Sequence, residues 1–568
     1  MLIFTSVTMA KIHTLKISNF RGIKQFEQVF GKENFICLIG RGDSGKTSIL
    51  DAISFVLSPN WNLAFFDTDF FNCEVENPIV IEASVIEPPE YLLQDNKYGM
   101  YLRGLDPKTN VIHDDIQESH NDVLTIRLTV TKDLEPLWEV LSNRQDPIEI
   151  KSSDRASLNV FLVSDYIDRH FSWSKGNPLY ALLQQSETQI DSVNVIINEM
   201  RKAKGQIDGS DGFKYLDETV NKIKVSASQL GSDISGTTTT IDAKELNIKD
   251  GKVSLHDGNI PFRLKGKGSK RLISISIQTE LAKSGGILLI DEIEQGLEPD
   301  RAQHLANILK NNNSGQIFIT THSRDVLVEL EAHNLFRMKK NESALFSFTS
   351  ELQACIRSNP EAFFAERIIV CEGSTEVGFC RGINKFRIAL GKDNITLKGI
   401  RFANGMGSTQ VEYAEGFKTA GYDVCVFCDS DVTAINDKKA SLRGKGILII
   451  DTDVNNSIEA QMFLDLSWTG IEELIKYRMT FKDLEHIKAQ VSKHHSTPFN
   501  ENALTIDTPE IRQALSIAST EKDKDWFKRT DHGEHIGEVC CRHMESFKGN
   551  KLHSQIEALN KWIDNARY

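Results

Sequence analysis

Apolar residues in this chain gather into short runs of strand length, most of them ending in glycine or an acid, and longer stretches with helical spacing lie between them. The runs at Asn34–Gly40 (NFICLIG), Ile287–Ile290 (ILLI), Gln316–Thr320, Glu366–Cys371, Val424–Cys428 and Gly446–Ile450 read as buried strands. Pro78–Val85 and Leu124–Val130 alternate and predict a β-rich part. Helical spacing marks SILDAISFVL, ISISIQTELA, SVNVIINEMRKA and FKYLDETVNKIKVSASQL, the last two separated by Gly-Ser-Asp breaks at 208–212. The class expected is α/β, with a helical hairpin inserted into the first part and a mainly helical C-terminal segment.

The strand ends turn this pattern into chemistry. The first buried run passes into Gly40-Arg41-Gly42-Asp43-Ser44-Gly45-Lys46-Thr47, a complete P-loop. Its glycines let backbone N–H groups turn inward around phosphates, Lys46 reaches the β/γ oxygens, and Thr47, followed by Ser48, offers a hydroxyl to Mg²⁺ at the helix start. Ile287–Ile290 ends in Asp291-Glu292, where Asp291 would hold Mg²⁺ through water and Glu292 would polarise an attacking water. The run at Gln316–Thr320 ends in Thr321-His322-Ser323.

A second constellation lies in the last third. A strand ends in Glu372-Gly373-Ser374-Thr375-Glu376, and a later one delivers Asp429-Ser430-Asp431. Ligands collect at the carboxyl ends of strands in an open α/β sheet, so Glu372, Asp429 and Asp431 are expected to converge. Three or four hard oxygen ligands there suit Mg²⁺ or Mn²⁺. A third strand leads to Asp451-Thr452-Asp453 and on to Glu459, three rival acids for the same site.

These motifs resemble known families. The position of His322 after the Asp-Glu strand resembles the γ-phosphate-sensing histidine of ABC-type ATPases. Leu264–Arg271, carrying Gly268 and Ser269, resembles a degenerate ABC signature loop, which in that family closes over ATP on the other subunit and so implies a dimer. Glu294–Pro299 resembles the D-loop region, with Glu298 where many relatives have histidine, a departure that bears on turnover rate. Ile12–Ile23, with its Asn19-Phe20-Arg21-Gly22, resembles the start of SMC and RecF ATPases, which makes Met9 an alternative start. The EGxxE and DxD pair resembles the Toprim domain of topoisomerases, primases and OLD nucleases.

An ATPase followed by a Toprim domain is the arrangement of the OLD (overcoming lysogenization defect) family, including Gabija nuclease subunits and retron-associated effectors. The resemblance implies domains at 1–162 (first ATPase lobe), 163–233 (dimerisation insert), 234–350 (second lobe), 351–466 (Toprim core) and 467–568 (helical C-terminal part). It implies an ATP-regulated, metal-dependent DNA endonuclease of anti-phage defence, with one Mg²⁺ beside ATP and two Mg²⁺ or Mn²⁺ ions held by Glu372, Glu376, Asp429, Asp431 and Glu459. It also implies a C-terminal lysine that neutralises charge on the phosphate; Lys528 is the first candidate, with Lys548 and Lys551 as rivals. Partners implied are DNA, a second copy or higher homo-oligomer, and a neighbouring-gene product such as a helicase-like protein or a reverse transcriptase. RNA or tRNA cleavage, and an ATP-dependent scaffold with an inactive Toprim fold, are the alternatives.

Composition adds limits. The 568 residues suffice for three to four domains, and no apolar stretch approaches the roughly 20 residues of a membrane helix, so a cytoplasmic protein is expected. Nine cysteines lie partly within buried strands, as in reduced packing. Cys425 and Cys428 spell CxxC, but a strand points them to opposite faces. His532 and His535 lack a metalloprotease order. The net charge of −13 leaves nucleic-acid binding to local patches, for which Arg263–Arg271 and Lys438–Lys445 are the candidates.

Overall fold

The structure, a computed structural model, describes residues 10–163, 168–172, 177–179, 182, 198–199, 201–206, 214, 216–229, 255–282, 285–311, 315–495, 505–522 and 524–565. Most of the hairpin expected over 163–233, and the polar linker at 231–240, lie outside the described residues; the helix Asp217–Gln229 lies within them.

The chain opens with β1 (Lys11–Phe20) and β2 (Ile23–Val29), enters the fully buried β3 (Phe35–Ile39), and continues through β4 (Ile79–Ile86), β5 (Arg103–Asp106), β6 (Val111–His113), β7 (Asn121–Val130), β8 (Pro136–Ser142) and β9 (Gln145–Glu149). All of these except β3 build one antiparallel eight-stranded sheet. The alternating patterns of β4 and β7 place one face of that sheet on the core.

β3 instead joins β10 (Val160–Val163), the β11–β12 hairpin's successor β13 (Ile287–Ile290), β14 (Gln316–Thr320), β15 (Leu335–Arg337) and β16 (Phe346–Ser347), where the hairpin is β11 (His256–Asp257) and β12 (Ile260–Pro261). The order is β10-β13-β14-β3-β15-β16, parallel except for the β16 edge. Because successive strand residues face opposite ways, Ile36, Leu38, Leu289 and Phe318 pack toward the antiparallel sheet and helix Lys46–Val56, while Cys37, Ile39, Leu288 and Ile319 pack into a second core.

That second core runs on into the last third of the chain. There β17 (Arg367–Cys371), β18 (Ile400–Asn404), β19 (Asp423–Cys428) and β20 (Leu448–Asp451) form a parallel sheet in the order β18-β17-β19-β20. Ile368, Val370, Val424, Val426 and Cys428 share the core of the first part, whereas Ile369, Cys371, Cys425 and Phe427 pack against the C-terminal helices. Cys425 and Cys428 thus enter different cores. All nine cysteines are free thiols.

Two helices in this last third touch backbone to backbone. Helix Ser374–Ala389 presents Gly378 and Gly382 to Gly533 and Gly537 of helix Thr530–Arg542, and a Cβ at Gly378 would strike the Thr530 carbonyl. Absence of side chains on both faces permits the close approach. Thr375 Oγ1 also donates to the Phe527 carbonyl at 3.2 Å, fixing the chain just ahead of the second helix.

Two expectations change. Asp168–Phe171, assigned from sequence to the insert, packs in the ATPase core, with Phe171 buried there and His170 at 2.6 Å from Ser274. The expected signature loop is already helical from Lys267, because helix Lys267–Ala282 takes in its last five residues. No helix among the described residues is long and apolar enough to cross a membrane.

Candidate active site

Three adjacent strands, β13, β14 and β3, end at one edge and deliver the first site. Gly40 turns the P-loop at φ +147, with the Met338 carbonyl where a Cβ would be, so only glycine fits. Lys46 folds back over the loop, donating to the carbonyls of Gly40 at 3.0 Å and Arg41 at 2.8 Å and to Ser44 Oγ at 3.4 Å. Burial pulls its ammonium down to about 8 against the carboxylates of Asp291, Glu292, Asp43 and Glu294. Gly42 and Gly45 complete the turn, and Thr47 and Ser48 lie in the first turn of helix Lys46–Val56.

The acids of this site are hydrogen-bonded in advance. Asp291 accepts from Thr47 Oγ1 at 3.0 Å and Thr320 Oγ1 at 2.6 Å, and the Glu292 N–H donates to Thr320 Oγ1 at 2.7 Å. Glu294 accepts from Thr321 Oγ1 at 2.7 Å and from the His322 N–H at 2.6 Å. Burial and the charge of Lys46 hold the His322 imidazole below its ordinary value. The loop, lysine, Thr47–Asp291 pair and adjoining His322 fit a Mg-nucleotide. Gly268 and Ser269 are joined to the P-loop by no hydrogen bond among the described residues; Gly268 packs on the Gly296 carbonyl instead, within the same chain.

The second site forms at the carboxyl ends of β17, β19 and β20. Glu372 leaves β17 and accepts from the Asp429 N–H at 3.1 Å and Gln410 Nε2 at 3.2 Å. Glu376, in the first turn of the next helix, reaches back to the Gly373 N–H at 2.8 Å. Asp429 accepts from the Ile458 N–H at 2.9 Å, and Ser457 caps helix Ile458–Asp465, whose first turn carries Glu459. Carboxylate oxygens of Glu372, Asp429 and Asp431 lie within 4.8 Å of one another, as do those of Glu376, Asp429 and Glu459. Asp429 belongs to both groups.

Glu376, Asp429 and Glu459 are 3%, 6% and 1% exposed, and neither oxygen of Glu459 has a hydrogen-bond partner. Burial, then the charge of Glu459, pushes Glu376 up to about 8; burial, then Glu376 and Glu459, raises Asp429 as well. Burial also raises Glu372. Lys528 Nζ stands 3.5 Å from Glu459 Oε1. Although its burial acts the other way, Glu459, Glu376 and Asp429 hold its ammonium above the usual value. Carboxylates in two groups of three that share Asp429, with buried Glu459 free of hydrogen bonds, are a donor set that fits hard divalent cations.

The rivals fall elsewhere. Asp451 is occupied by Lys439 at 3.2 Å, Arg443 at 3.5 Å and Lys551 at 3.3 Å, and Asp453 by Gln461 at 3.1 Å. Lys551 is thereby taken up by Asp451, not by the acidic cluster. His532 and His535 stack on Phe481 and Tyr477, with centroids 4.6 and 3.7 Å apart. Within the basic patches Lys265 pairs with Asp257, Lys270 with Asp168, Arg443 with Asp451 and Lys445 with Glu415, while Arg271 donates to the Glu292 carbonyl. Carboxylates thus pair two of the five basic residues of the first stretch, Lys265 and Lys270, and Lys439, Arg443 and Lys445 of the second.

Two residues were not anticipated. Gln410, fully buried, aims its amide at Glu372, and no motif marks it. Lys439, also buried, donates to the Asp429 carbonyl at 3.0 Å and Ser430 Oγ at 2.9 Å, holding the acidic turn; it lies in the basic stretch Lys438–Lys445, but that stretch gave no sign of this role.

Comparison with known proteins agrees with this geometry. Residues 35–329 match the family model "AAA domain, putative AbiEii toxin, Type IV TA system", and residues 363–431 match "Overcoming lysogenization defect protein-like, TOPRIM domain". Among solved structures, the chain is similar to an Smc head domain from Pyrococcus furiosus bound to the C-terminal domain of ScpA, at 15% identity and a TM-score of 0.33, covering 60% of this chain and 97% of that one. It is also similar to the ATP form of the recombination mediator RecF, at 14% identity and a TM-score of 0.33, covering 61% and 100%. No curated protein matches. An ATPase domain followed by a Toprim domain implies an enzyme that uses ATP and a divalent metal. The chain belongs to the OLD family, joining an ABC-type P-loop ATPase to a Toprim domain.

Proposed function

We propose that the protein is an ATP-regulated, divalent-metal-dependent endonuclease that hydrolyses DNA phosphodiester bonds. The observation that carries this reading is the pair of carboxylate groups sharing Asp429, with both oxygens of buried Glu459 left without hydrogen bonds. Glu372, Asp429 and Asp431 would hold one ion, and Glu376, Asp429 and Glu459 a second. Mg²⁺ or Mn²⁺ bound there supplies Lewis-acid polarisation of the phosphate and a more acidic water. Lys528 brings a cation to the same cluster and would face the charge that develops on the phosphate. Gln410 and the Asp429 N–H orient Glu372, and Lys439 keeps the acidic turn in place.

In the ATPase, Lys46 would exchange the P-loop carbonyls for phosphate oxygens, Thr47 and Asp291 would hold the nucleotide's Mg²⁺, and Glu292 and His322 would face the γ-phosphate side. Gly268 and Ser269 are proposed to close over ATP on a second copy. The domain limits 1–162, 163–233, 234–350, 351–466 and 467–568 stand as part of the same proposal. The setting proposed is anti-phage defence, on family membership alone, with a neighbouring-gene partner.

The test is cleavage of supercoiled plasmid, linear DNA and tRNA with Mg²⁺ or Mn²⁺, with and without ATP, in the parent and Glu372→Ala. DNA cutting by the parent alone is expected, and ATP should change its rate. Cutting of tRNA alone would replace DNA as substrate. Equal cutting by Glu372→Ala would remove the Toprim assignment.

A further inference from the structure

A cavity of about 380 Å³ lies on the seam between the two domains, lined by Arg41 of the P-loop, His322 and Arg324 after β14, Glu361, and Gly399 and Arg401 at the start of β18. It stands at the amino ends of the Toprim strands, away from Glu372 and Asp429 at their carboxyl ends. Its charge is lopsided. Three guanidinium groups meet one carboxylate, and that one, Glu361, is already taken by Arg324 at 3.1 Å. Neither Arg41 nor Arg401 has an ion-pair partner among the described residues.

The walls are fixed from both sides. The Gly399 carbonyl accepts from the N–H groups of Glu366 at 2.9 Å and Arg367 at 3.1 Å, and Glu366 pairs at 3.2 Å with Arg337 of the ATPase sheet, which is buried and lies 3.8 Å over the Tyr422 ring. Gly399, at φ +69, leaves the room that the Arg41 guanidinium occupies; a side chain there would collide with it. Three arginines against a single carboxylate at a braced seam beside His322, two of them with no ion-pair partner among the described residues, are suited to a phosphate group.

We propose that this seam cavity, adjoining the P-loop cradle and apart from the Toprim cluster, is a phosphate-binding site whose occupant is a phosphate bound by Arg41, Arg324 and Arg401. The phosphate comes either from the γ position of bound nucleotide or as orthophosphate released there. Nucleic acid is the weaker candidate, because the cavity faces the end of the sheet opposite the metal ligands. The inference rests on the ATPase and is independent of the nuclease reading.

The experiment titrates inorganic phosphate into the full chain loaded with ADP and Mg²⁺, by calorimetry, for the parent, Arg401→Ala, Arg324→Ala and, as a charge control, Lys438→Ala. Saturable binding is expected in the parent and in Lys438→Ala, weakened about tenfold or more in the two arginine variants, with ADP affinity unchanged. Repeating it with a non-hydrolysable ATP analogue separates the sources: exclusion of phosphate, with weaker analogue binding by Arg401→Ala, assigns the γ-phosphate, and retained phosphate binding assigns released orthophosphate. No saturable binding in the ADP-loaded parent, or equal affinity in parent and Arg401→Ala, would overturn the proposal.

Discussion

The two acidic sites of this protein are built on the same plan and finished in opposite ways. Both sit at the carboxyl ends of a parallel sheet, where strands stop and backbone N–H groups become available. In the ATPase, Asp291 accepts from two threonines and Glu294 from a threonine and a backbone N–H. In the Toprim domain, Glu376, Asp429 and Glu459 are buried together, and Lys528 is the cation beside them. Buried like charges destabilise one another unless something of opposite charge joins them. The first site is therefore stable as it stands and receives a ligand into a prepared cradle. The second gathers buried carboxylates with one lysine beside them, and its fold should gain more from its cations.

The sharpest way to break this contrast is to remove one acid from each. Asp429→Ala and Glu459→Gln are expected to lower metal-dependent cleavage by about 10³-fold or more, measured under single-turnover conditions. In metal-free buffer Glu459→Gln should melt about 2–4 °C higher than the parent, because one buried charge is gone. It should also lose most of the stabilisation that Mg²⁺ gives the parent, about 2.7 kcal/mol at 100 times Kd. Asp291→Ala should do the reverse, melting lower without nucleotide by about 1–3 kcal/mol as Thr47 and Thr320 lose their acceptor. Equal shifts in the same direction would erase the distinction.

Lys528→Ala comes next. It removes the cation at 3.5 Å from Glu459 while leaving every carboxylate in place. Cleavage should fall about 10²-fold, while Mg²⁺ affinity measured by calorimetry holds or rises. Weaker Mg²⁺ binding would mean that Lys528 organises the acids and does not face the phosphate.

Smaller in free energy is the helix crossing that brings Lys528 to the cluster. Gly378→Ala should cost about 1–3 kcal/mol in chemical denaturation, since its methyl meets the Thr530 carbonyl. Cleavage should drop with it, while nucleotide affinity stays at the parent value. Unchanged stability would show that the two helices separate without cost.

The places where sequence and structure agree and disagree follow the range of the interactions. β3, β13, β14, β17 and β19 were legible because a buried strand needs an uninterrupted apolar run, and Gly40–Thr47, Asp291 and Glu372 follow those runs directly. The choice among Asp451, Asp453 and Glu459 was open because it depends on Lys439, Arg443 and Lys551 arriving from two other elements. The pairing of Lys270 was hidden for the same reason: Asp168 lies 102 residues away in sequence. Gln410 gave no local sign. The glycines at 378, 382, 533 and 537 did, through two four-residue spacings, but only a helix partner gives that spacing meaning.

The smallest effect tests whether the C-terminal helix Lys551–Asp564 is fastened to the Toprim domain by charge as well as by its core. Asp564 pairs with Arg387, with Lys392 at 3.0 Å and with Lys398 at 3.5 Å. The hydrogen bond from Arg387, ahead of the opposing effect of burial, holds its carboxyl far below the ordinary aspartate value. A carboxyl depressed in the folded state stabilises above its unfolded pKa, near 4, and that contribution fades as pH falls through the lower folded value. Its side chain is 40% exposed, so solvent screening keeps the contribution under about 1 kcal/mol. Asp564→Asn should lower Tm slightly at pH 7 and converge with the parent in strong acid. An Asp564→Asn deficit that did not shrink on acidification would assign this end of the helix to packing alone, as Leu559 and Ile563 already do for its buried face.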